Sequence, residues 1–359
     1  MKNSFSGVYN GKKVLITGDT GFKGSWLALW LKELGAEVIG YALPPQRPED
    51  NFVVTGLEKY ISHQDGDVRD FESLLTCFEA VEPDIAFHLA AQPLVLDSYN
   101  DPKYTFETNL MGTVNFLEAV RSTKSVKTAI NVTSDKCYHN SEWIWGYREN
   151  DPMGGKDPYS ASKGCSELIT ASYISSFFSG DVACNVASAR AGNVIGGGDW
   201  ADNRIVPDFF RAINSGQQLL LRYPKATRPW QHVLEPLSGY LLLGSKLFVE
   251  GKKYSGGWNF GPVSAANKSV EDIVQKMIEL TGKGTYQAEE GQKLHEASLL
   301  QLDISKARTY LQWSPVLDFA QTVKFTVEGY TPTGSSYECR KSQIQRYCEL
   351  GRNQNISYL

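Results

Sequence analysis

The most constraining feature of this chain is a glycine-rich turn between a short apolar segment and an apolar helix. Val14–Thr17 is apolar and β-branched, which predicts a buried strand. Gly18, Gly21 and Gly24 follow, and the helix after them runs to Gly35. In such a turn the first glycine allows the tight bend, the second lets the backbone approach a pyrophosphate, and the third lets the helix pack closely. The sequence therefore predicts a dinucleotide-binding turn, with free N–H groups at the helix N-terminus facing the anion.

Later turns extend the predicted cofactor site. Asp67 and Val68 can hold the edge of an adenine ring, while Asp70 can cap the helix that follows. Ala90 and Ala91 place small side chains where a cofactor has to pass close to the chain. The residues predicted to bind the cofactor are Gly18, Thr20, Gly21, Phe22, Lys23, Gly24, Asp67, Val68, Leu89, Ala90, Ala91, Tyr159 and Lys163.

The predicted second strand, Val38–Tyr41, lacks a residue that is usual at its end. A cofactor with a free ribose 2′-hydroxyl usually meets an Asp or Glu there. Here the chain continues with Ala-Leu-Pro-Pro and then Gln46-Arg47. Arg47 or Lys23 can instead accept a 2′-phosphate. The residues alone therefore leave NAD and NADP open, and the ribose has to be recognised in another way.

Strands and helices alternate through the first half of the chain. This alternation predicts an α/β fold with a Rossmann-type, doubly wound parallel sheet, whose ligands bind at the carboxyl ends of the strands. We expect residues 1–190 to form the cofactor domain, with segments of about 233–260 returning to it. Residues 191–359 are expected to form mainly a smaller, interleaved C-terminal α/β substrate domain. His88, inside an apolar strand, is interpreted as a core histidine.

Two stretches carry the residues predicted to be catalytic. Tyr159 and Lys163 are one helical turn apart, so that the ammonium can favour the phenolate. Lowering the pKa of a phenol from about 10 to near 7 requires roughly 4 kcal/mol. Ser134 ends another apolar strand, and Asp135 and Lys136 follow it directly. We therefore predict that Tyr159 acts as a base on a substrate hydroxyl, with Ser134 hydrogen-bonded to the same hydroxyl.

The second half contributes arginines among prolines and aromatic residues. Guanidinium groups suit a nucleotide diphosphate, and aromatic faces suit its base or sugar. Ordinary surface arginines are the alternative interpretation. The residues predicted to bind the substrate are Gln92, Asn193, Arg204, Arg222, Arg228 and His232.

Composition excludes several other classes of function. The chain has 359 residues and a net charge of −4 with no basic block, which argues against a nucleic-acid partner. The six cysteines lack the spacing of zinc ligands, so no metal site is predicted. The sequence shows no apolar signal segment and no run of membrane-spanning length. We therefore expect a cytoplasmic protein with reduced thiols, bound neither to a membrane nor to nucleic acid.

These motifs resemble the extended short-chain dehydrogenase/reductase family, from Gly18 through Tyr159 and Lys163 to Trp313-Ser-Pro315. Within it, Val132–Tyr138 is similar to the branch of 4,6-dehydratases that act on CDP-glucose. Sugar 4-epimerases usually lack an acid after the strand-end Ser or Thr, and dTDP-glucose dehydratases carry Asp-Glu where this chain has Asp-Lys. The resemblance implies bound NAD, a nucleotide-sugar substrate, a homodimer or dimer of dimers, and a place in 3,6-dideoxyhexose synthesis for the lipopolysaccharide O-antigen.

The resemblance also implies a reaction. Tyr159 takes the proton of the sugar 4-hydroxyl while hydride passes to NAD; Asp135 is the candidate acid for loss of the 6-hydroxyl, and Lys136 the candidate base at carbon 5. Adjacent Asp and Lys side chains would rest as an ion pair in water, so these roles require a dry pocket. The alternative is that Lys136 only holds substrate oxygens. The remaining alternatives are another nucleotide-sugar 4,6-dehydratase, a 4-epimerase, or a non-catalytic NAD-sensing regulator.

Overall fold

The computed structural model describes residues 1–180, 184–263, 267–288 and 300–359. Its strands are β1 (Lys13–Thr17), β2 (Glu37–Ala42), β3 (Ser62–Asp65), β4 (Ile85–His88), β5 (Thr128–Val132), β6 (Asn185–Arg190), β7 (Val194–Ile195), β8 (Leu219–Leu221), β9 (Thr227–Pro229), β10 (Gln231–His232), β11 (Gly256–Asn259), β12 (Asn267–Ser269) and β13 (Tyr286–Ala288). Its α-helices are α1 (Phe22–Glu33), α2 (Asn51–Val54), α3 (Phe71–Val81), α4 (Val95–Asn100), α5 (Pro102–Phe106), α6 (Gly112–Ser122), α7 (Pro158–Ser176), α8 (Ile205–Ser215), α9 (Leu234–Glu250), α10 (Val270–Thr281), α11 (Phe319–Tyr330) and α12 (Ser336–Asn353).

A parallel sheet of seven strands forms the centre of the molecule, in the order β11-β6-β5-β4-β1-β2-β3. The chain leaves β1 towards β2 and β3, and then returns to place β4 on the other side of β1. Such a reversal opens a crevice at the carboxyl ends of the strands. The predicted Rossmann-type fold is confirmed. The glycine-rich turn after β1 and the loop after β5 both lie at the end of the sheet where this crevice opens.

Apolar cores cover both faces of the sheet. On one face, Trp26 and Trp30 of α1 pack with α9 and are completely buried. On the other face, α3 and α6 cover β4, where the His88 ring stacks on Phe116 at 4.7 Å between ring centroids. The Nδ1 atom of His88 lies 2.7 Å from the Thr17 hydroxyl. Burial, followed by the charge of Lys163, lowers the pKa of His88 to about 3. His88 is therefore a neutral core histidine.

A smaller apolar core lies in the second half of the chain, among α8, α10, α11 and three short strand pairs. Between these elements, α9 and β11 return to the large sheet, where β11 pairs with β6. The last helix, α12, also packs against α1, and its Tyr337 hydroxyl donates to Glu33 at 2.9 Å. The division into a cofactor domain and a substrate domain stays a prediction. Between α5 and α6 the chain forms the π-helical turn Glu107–Met111.

Candidate active site

The glycine-rich turn is packed as tightly as its sequence predicts. Gly18 has a φ of 81°, and a Cβ atom on it would lie 2.6 Å from the backbone nitrogen of Ala90. A Cβ atom on Gly24 would collide with the carbonyl oxygen of Gly18. The turn therefore runs directly against the end of β4. The Thr20 hydroxyl donates to the carbonyl oxygen of Leu43 at 2.9 Å, so this side chain holds the turn to the loop after β2.

Three cationic side chains converge beside the start of α1. Burial, followed by the charge of Arg204, lowers the pKa of Lys23 to about 8, against the opposing effects of Asp135 and Asp199. Burial also lowers the pKa of Lys163 to about 8, and the charge of Lys23 acts in the same direction. Positive charge beside a helix N-terminus is suited to an anion. Together with the close backbone approach at Gly18, this arrangement fits the pyrophosphate of a dinucleotide.

On the adenosine side of the predicted site, the charged side chains bind other residues of the protein. The Asp67 carboxylate accepts from Arg69, at 2.9 Å from its backbone nitrogen and 2.6 Å from its Nη2 atom. Val68 is buried below it. Asp70 caps α3 by accepting from the Ser73 N–H at 3.1 Å, as predicted. Arg47, the candidate for a 2′-phosphate, is paired with Asp202 at 2.6 Å.

Tyr159 and Ser134 meet where α7 begins beside the end of β5. Asp157 caps α7, and Tyr159 in its first turn is 8% exposed. Burial raises the pKa of Tyr159 to about 12; a hydrogen bond with Ser134 and the charge of Arg204 lower it, whereas Asp135 raises it. The predicted lowering of this pKa towards neutrality is therefore not found, because burial outweighs the favourable interactions in this structure.

Asp135 and Lys136 lie on a 3₁₀ turn that follows Ser134. The Ser134 hydroxyl donates to Oδ1 of Asp135 at 3.0 Å and accepts from the backbone N–H of Lys136 at 3.3 Å. Asp135 is 3% exposed, and its carboxylate lies against Gly192 so closely that a Cβ atom there would collide with it. Lys136 is half-buried and forms no ion pair with Asp135 or with any other described residue. The ion pair expected for adjacent Asp and Lys side chains is therefore absent.

Of the residues predicted to bind substrate, Arg204 and Asn193 lie beside the candidate catalytic residues, and Arg222 and Arg228 lie further along the chain. Arg204 is paired with Asp199 at 2.7 Å and lies near Tyr159. The charge of Asp199 raises the pKa of Arg204 against the effect of burial, and Tyr159 acts in the same direction as Asp199. Asn193 follows Gly192 with a φ of 44° and is half-buried. Arg222 is exposed and donates to Asn203 at 3.4 Å. Arg228 is half-buried and donates to the carbonyl oxygen of Thr227 at 2.9 Å.

The other two residues predicted to bind substrate lie inside the protein. The Gln92 amide donates to the Leu94 carbonyl oxygen at 3.0 Å and to the Thr105 hydroxyl at 2.9 Å, so it organises its own loop. His232 has no exposed surface, packs between Trp26 and Phe325, and has its pKa lowered to about 3 by burial and then by Arg340. This placement does not favour a contact between either side chain and a substrate. The sequence could not reveal that Gln92 and His232 are buried, because both are polar residues.

A buried ion pair behind the catalytic helix was not predicted from the sequence. The Glu167 carboxylate accepts from Arg190 at 2.7 Å, from the Ser188 hydroxyl at 2.6 Å and from the Thr133 hydroxyl. Arg190 also donates to the Tyr138 hydroxyl at 2.5 Å. The signal was available: Glu167 is four residues after Lys163, and therefore lies on the same face of α7.

The structure also bears on a metal site and on a membrane span. The described residues contain no group of three or more His, Cys, Asp or Glu side chains arranged to hold a metal ion. Among the described helices, none combines the length and apolar character needed to span a membrane.

The chain matches a known family over most of its length. The sequence model of the family described as GDP-mannose 4,6 dehydratase matches residues 15–326. The CDP-glucose 4,6-dehydratase of Salmonella typhimurium is 50% identical over 320 residues, covering 88% of this chain and 89% of that protein.

Solved structures share the fold. The epimerase Mth375 of Methanothermobacter thermautotrophicus superposes with a TM-score of 0.77 at 24% identity, covering 93% of this chain and 96% of that one. The dTDP-glucose 4,6-dehydratase of Bacillus anthracis, solved in complex with NAD, superposes with a TM-score of 0.74 at 20% identity, covering 92% of this chain and 100% of that one.

Proposed function

The chain belongs to the GDP-mannose 4,6-dehydratase family, and from this premise we propose that it is a CDP-glucose 4,6-dehydratase with bound NAD. The family match and the 50% identity to a CDP-glucose 4,6-dehydratase confirm the resemblance seen in the motifs. The reaction converts CDP-glucose to CDP-4-keto-6-deoxyglucose and water. It is a lyase reaction, because water is eliminated, and no reductant is consumed, because the sugar is oxidised at one carbon and reduced at another.

One observation carries the assignment to a dehydratase. Asp135 accepts a hydrogen bond from Ser134 at 3.0 Å, and Ser134 lies beside Tyr159, whose pKa it lowers. A 4-epimerase needs a phenol, a lysine and a hydroxyl, but it does not need an acid for the loss of water. The carboxyl group of Asp135 beside these groups supplies that acid.

The residues that would hold NAD are those of the glycine-rich turn, together with Lys23, Lys163 and the backbone around Ala90. When bound, NAD supplies the acceptor and later the donor of the sugar's hydride. The close approach at Gly18 and the converging cations support a pyrophosphate there. Arg47, engaged by Asp202, is not free for a 2′-phosphate in this arrangement, which supports NAD over NADP.

The roles proposed for the chain's own residues follow from their positions. Tyr159 takes the proton of the sugar 4-hydroxyl, helped by the nearby ammonium of Lys163, while Ser134 holds that hydroxyl. The ketone formed at carbon 4 acidifies the hydrogen at carbon 5, which Lys136 removes. Asp135 protonates the 6-hydroxyl as it leaves. Lys136 and Asp135 form no ion pair with each other. This supports separate roles as base and acid, because neither side chain has its charge neutralised by the other.

Arg204, Asn193, Arg222 and Arg228 are proposed to bind the nucleotide diphosphate. Guanidinium groups hold phosphate oxygens in a forked geometry. Arg204 lies close to the catalytic groups, since it interacts electrostatically with Tyr159. We propose that it holds the phosphate next to the sugar, and that the exposed Arg222 contacts the outer part of the nucleotide.

We propose that the protein forms a homodimer, or a dimer of dimers, through its α4–α7 side. Exposed apolar side chains occur there on neighbouring helices: Leu96 is 50% exposed, Tyr99 63% and Leu168 60%. Exposed apolar groups of this size often mark contacts with another protein. A cytoplasmic location is proposed from the cysteine pattern, and a place in O-antigen synthesis from the resemblance.

A parallel assay of nucleotide sugars tests the function. CDP-, dTDP- and UDP-glucose and GDP-mannose are incubated with the NAD-loaded protein, and the product is treated with alkali. We expect the ultraviolet absorbance of a 4-keto-6-deoxy sugar with CDP-glucose and much less with the others. Interconversion of hexose epimers without this absorbance would indicate the 4-epimerase instead. Turnover of none of them, with NAD bound, would indicate a non-catalytic NAD-sensing regulator.

A further inference from the structure

The end of β2 lacks the acidic residue that usually binds the ribose 2′-hydroxyl of NAD, and the neighbouring strand carries one beside it. β3 pairs with β2 in parallel, and Asp65, the last residue of β3, lies in register with Ala42, the last residue of β2. Paired residues on neighbouring strands present their side chains to the same face of a sheet. The Asp65 carboxylate therefore lies one strand away from the position where this fold usually has its acid.

A histidine two residues earlier on β3 holds this carboxylate. His63 and Asp65 share a face of the sheet, because side chains alternate along a strand. The Nε2 atom of His63 lies 3.2 Å from Oδ1 of Asp65, and its Nδ1 atom lies 2.7 Å from Oδ2 of Asp19. The Phe52 ring packs against the His63 ring at 5.1 Å between ring centroids. The imidazole is thus held at both nitrogens, and it orients Asp65 from one side.

Asp19 joins these two side chains to the glycine-rich turn. It lies between Gly18 and Thr20, and its side chain has no exposed surface. A Cβ atom on Gly40 of β2 would collide with the Asp19 carboxylate, so the absence of a side chain on β2 makes room for it. The turn that faces the pyrophosphate and the carboxylate at the end of β3 therefore belong to one hydrogen-bonded group.

The group formed by Asp19, His63 and Asp65 has an exposed negative end. Carboxylates only accept hydrogen bonds, so with both carboxyl groups ionised each ring nitrogen of His63 has to donate, and the ring is an imidazolium. The hydrogen bond with Asp19 is the largest cause that raises the pKa of His63, and burial opposes it. The imidazolium compensates the buried Asp19. The Asp65 side chain, which is 66% exposed, is left to present its charge to a ligand.

We propose that Asp65 binds the 2′-hydroxyl of the adenosine ribose of NAD, in place of the acid that is missing from the end of β2. His63 and Asp19 are positioning residues, because they act on the ribose through Asp65. A carboxylate accepts a hydrogen bond from a hydroxyl but repels a phosphate at the same position. Asp65 therefore also disfavours NADP, and the Arg47 guanidinium, engaged by Asp202 at 2.6 Å, does not offset this repulsion.

The test compares NAD with an analogue that lacks the 2′-hydroxyl of the adenosine ribose, by titration calorimetry without a sugar. In the wild type the analogue should bind about tenfold or more weakly, because a hydrogen bond to a charged group is lost. In Asp65→Ala, NAD and the analogue should bind equally well. Glu37→Ala is the matched control, since it removes an exposed acid from the opposite end of β2 and should keep the wild-type difference.

NADP provides a second measurement on the same variants. Asp65→Ala should raise the affinity for NADP relative to NAD by about tenfold or more, and Glu37→Ala should leave this ratio unchanged. A merely structural role of Asp65 predicts that its removal weakens the binding of NAD, the analogue and NADP by the same factor, which would overturn the proposal. Equal affinities of the wild type for NAD and the analogue would overturn it as well.

This inference concerns the cofactor and is independent of the sugar specificity. Because no sugar enters the binding measurements, their failure would leave the proposed dehydration in place. Conversely, a failure to convert CDP-glucose would leave the assignment of Asp65 to the ribose in place.

Discussion

The Glu167 carboxylate and the Arg190 guanidinium lie 2.7 Å apart, and their side chains are 3% and 5% exposed. Glu167 is one helical turn beyond Lys163 on α7, and Arg190 ends β6. Their ion pair therefore fixes the catalytic helix to the carboxyl end of β6. Hydroxyl groups of Thr133 and Ser188 satisfy the remaining carboxylate lone pairs, so that the burial of this charge is compensated.

Breaking this pair from one side should be costly. Glu167→Gln leaves the Arg190 charge buried without its counter-ion, and we expect a loss of about 3–5 kcal/mol in the free energy of unfolding. Denaturant unfolding measures it. Arg148→Ala is the matched control, since its pair with Asp151 has an arginine side chain that is 63% exposed, and such surface pairs contribute about 0–1 kcal/mol. Equal losses in the two variants would contradict the assigned role.

The tight packing of the glycine-rich turn predicts a selective loss of cofactor. Gly24→Ala forces a Cβ atom into the Gly18 carbonyl oxygen, which should displace α1 from the turn and weaken NAD binding by more than about tenfold, or roughly 1.4 kcal/mol. Gly261→Ala is the control, because its Cβ atom would meet Leu302 at an ordinary 3.5 Å. Titration calorimetry with NAD measures both variants. Unchanged affinity in Gly24→Ala would argue against a pyrophosphate at this turn.

Asp135→Asn should separate the first chemical step from the second. The amide cannot protonate the departing hydroxyl, so reduced cofactor should accumulate while dehydration slows by about 10²–10⁴-fold. Stopped-flow absorbance follows the reduced cofactor, and the alkali assay follows the keto sugar. Loss of both signals to the same extent would point to a binding defect, and unchanged turnover would remove Asp135 from the acid role.

Lys136→Met tests the base at carbon 5. If Lys136 removes that proton, uptake of solvent deuterium at carbon 5 and dehydration should both fall by about 10²-fold or more, while cofactor reduction continues. Mass spectrometry of the sugar reports the deuterium. Lys124→Met is the control, since Lys124 is exposed and precedes the opposite end of β5. Near-normal exchange in Lys136→Met would leave this side chain only a substrate-holding role.

Glu235 should make stability depend on pH. It is buried at the start of α9, where it accepts from the N–H groups of Val316 and Leu317 and from the Tyr347 hydroxyl. Burial raises its pKa to about 7, against the effect of these bonds. A carboxyl in an unfolded chain titrates near about 4.3. The folded state therefore binds the proton of Glu235 more tightly than the unfolded chain does. The resulting contribution to the free energy of unfolding is present below about pH 4.3 and is lost as pH rises through about 7.

Glu235→Gln should remove this pH dependence. The difference in unfolding free energy between wild type and variant should shift by about 2–3 kcal/mol against the wild type as pH rises from about 5 to about 8. Urea unfolding at several pH values gives this difference. Glu279→Gln, at a side chain that is 66% exposed, should give a constant difference. A constant difference for Glu235→Gln as well would show that this group titrates normally.

The sequence by itself determined the features that depend on neighbours along the chain. The strand, turn and helix from Lys13 to Glu33 follow from local apolar pattern and glycine spacing, and the structure has them where they were predicted. The capping of α3 by Asp70 and the common face of Tyr159 and Lys163 are equally local, because helix geometry fixes both. The alternation of these elements was enough to predict the parallel sheet.

Only the tertiary structure decided which distant side chains meet. The strand order brings the ends of β5 and β6 together, and with them Asp135 beside Gly192 and Glu167 beside Arg190. It also buries Gln92 and His232, which look in the sequence like ligands for a substrate. Burial also holds the pKa of Tyr159 above its usual value, whereas the neighbouring Lys163 alone predicted a lower pKa. Desolvation depends on everything packed around a group, and no local spacing of residues contains that information.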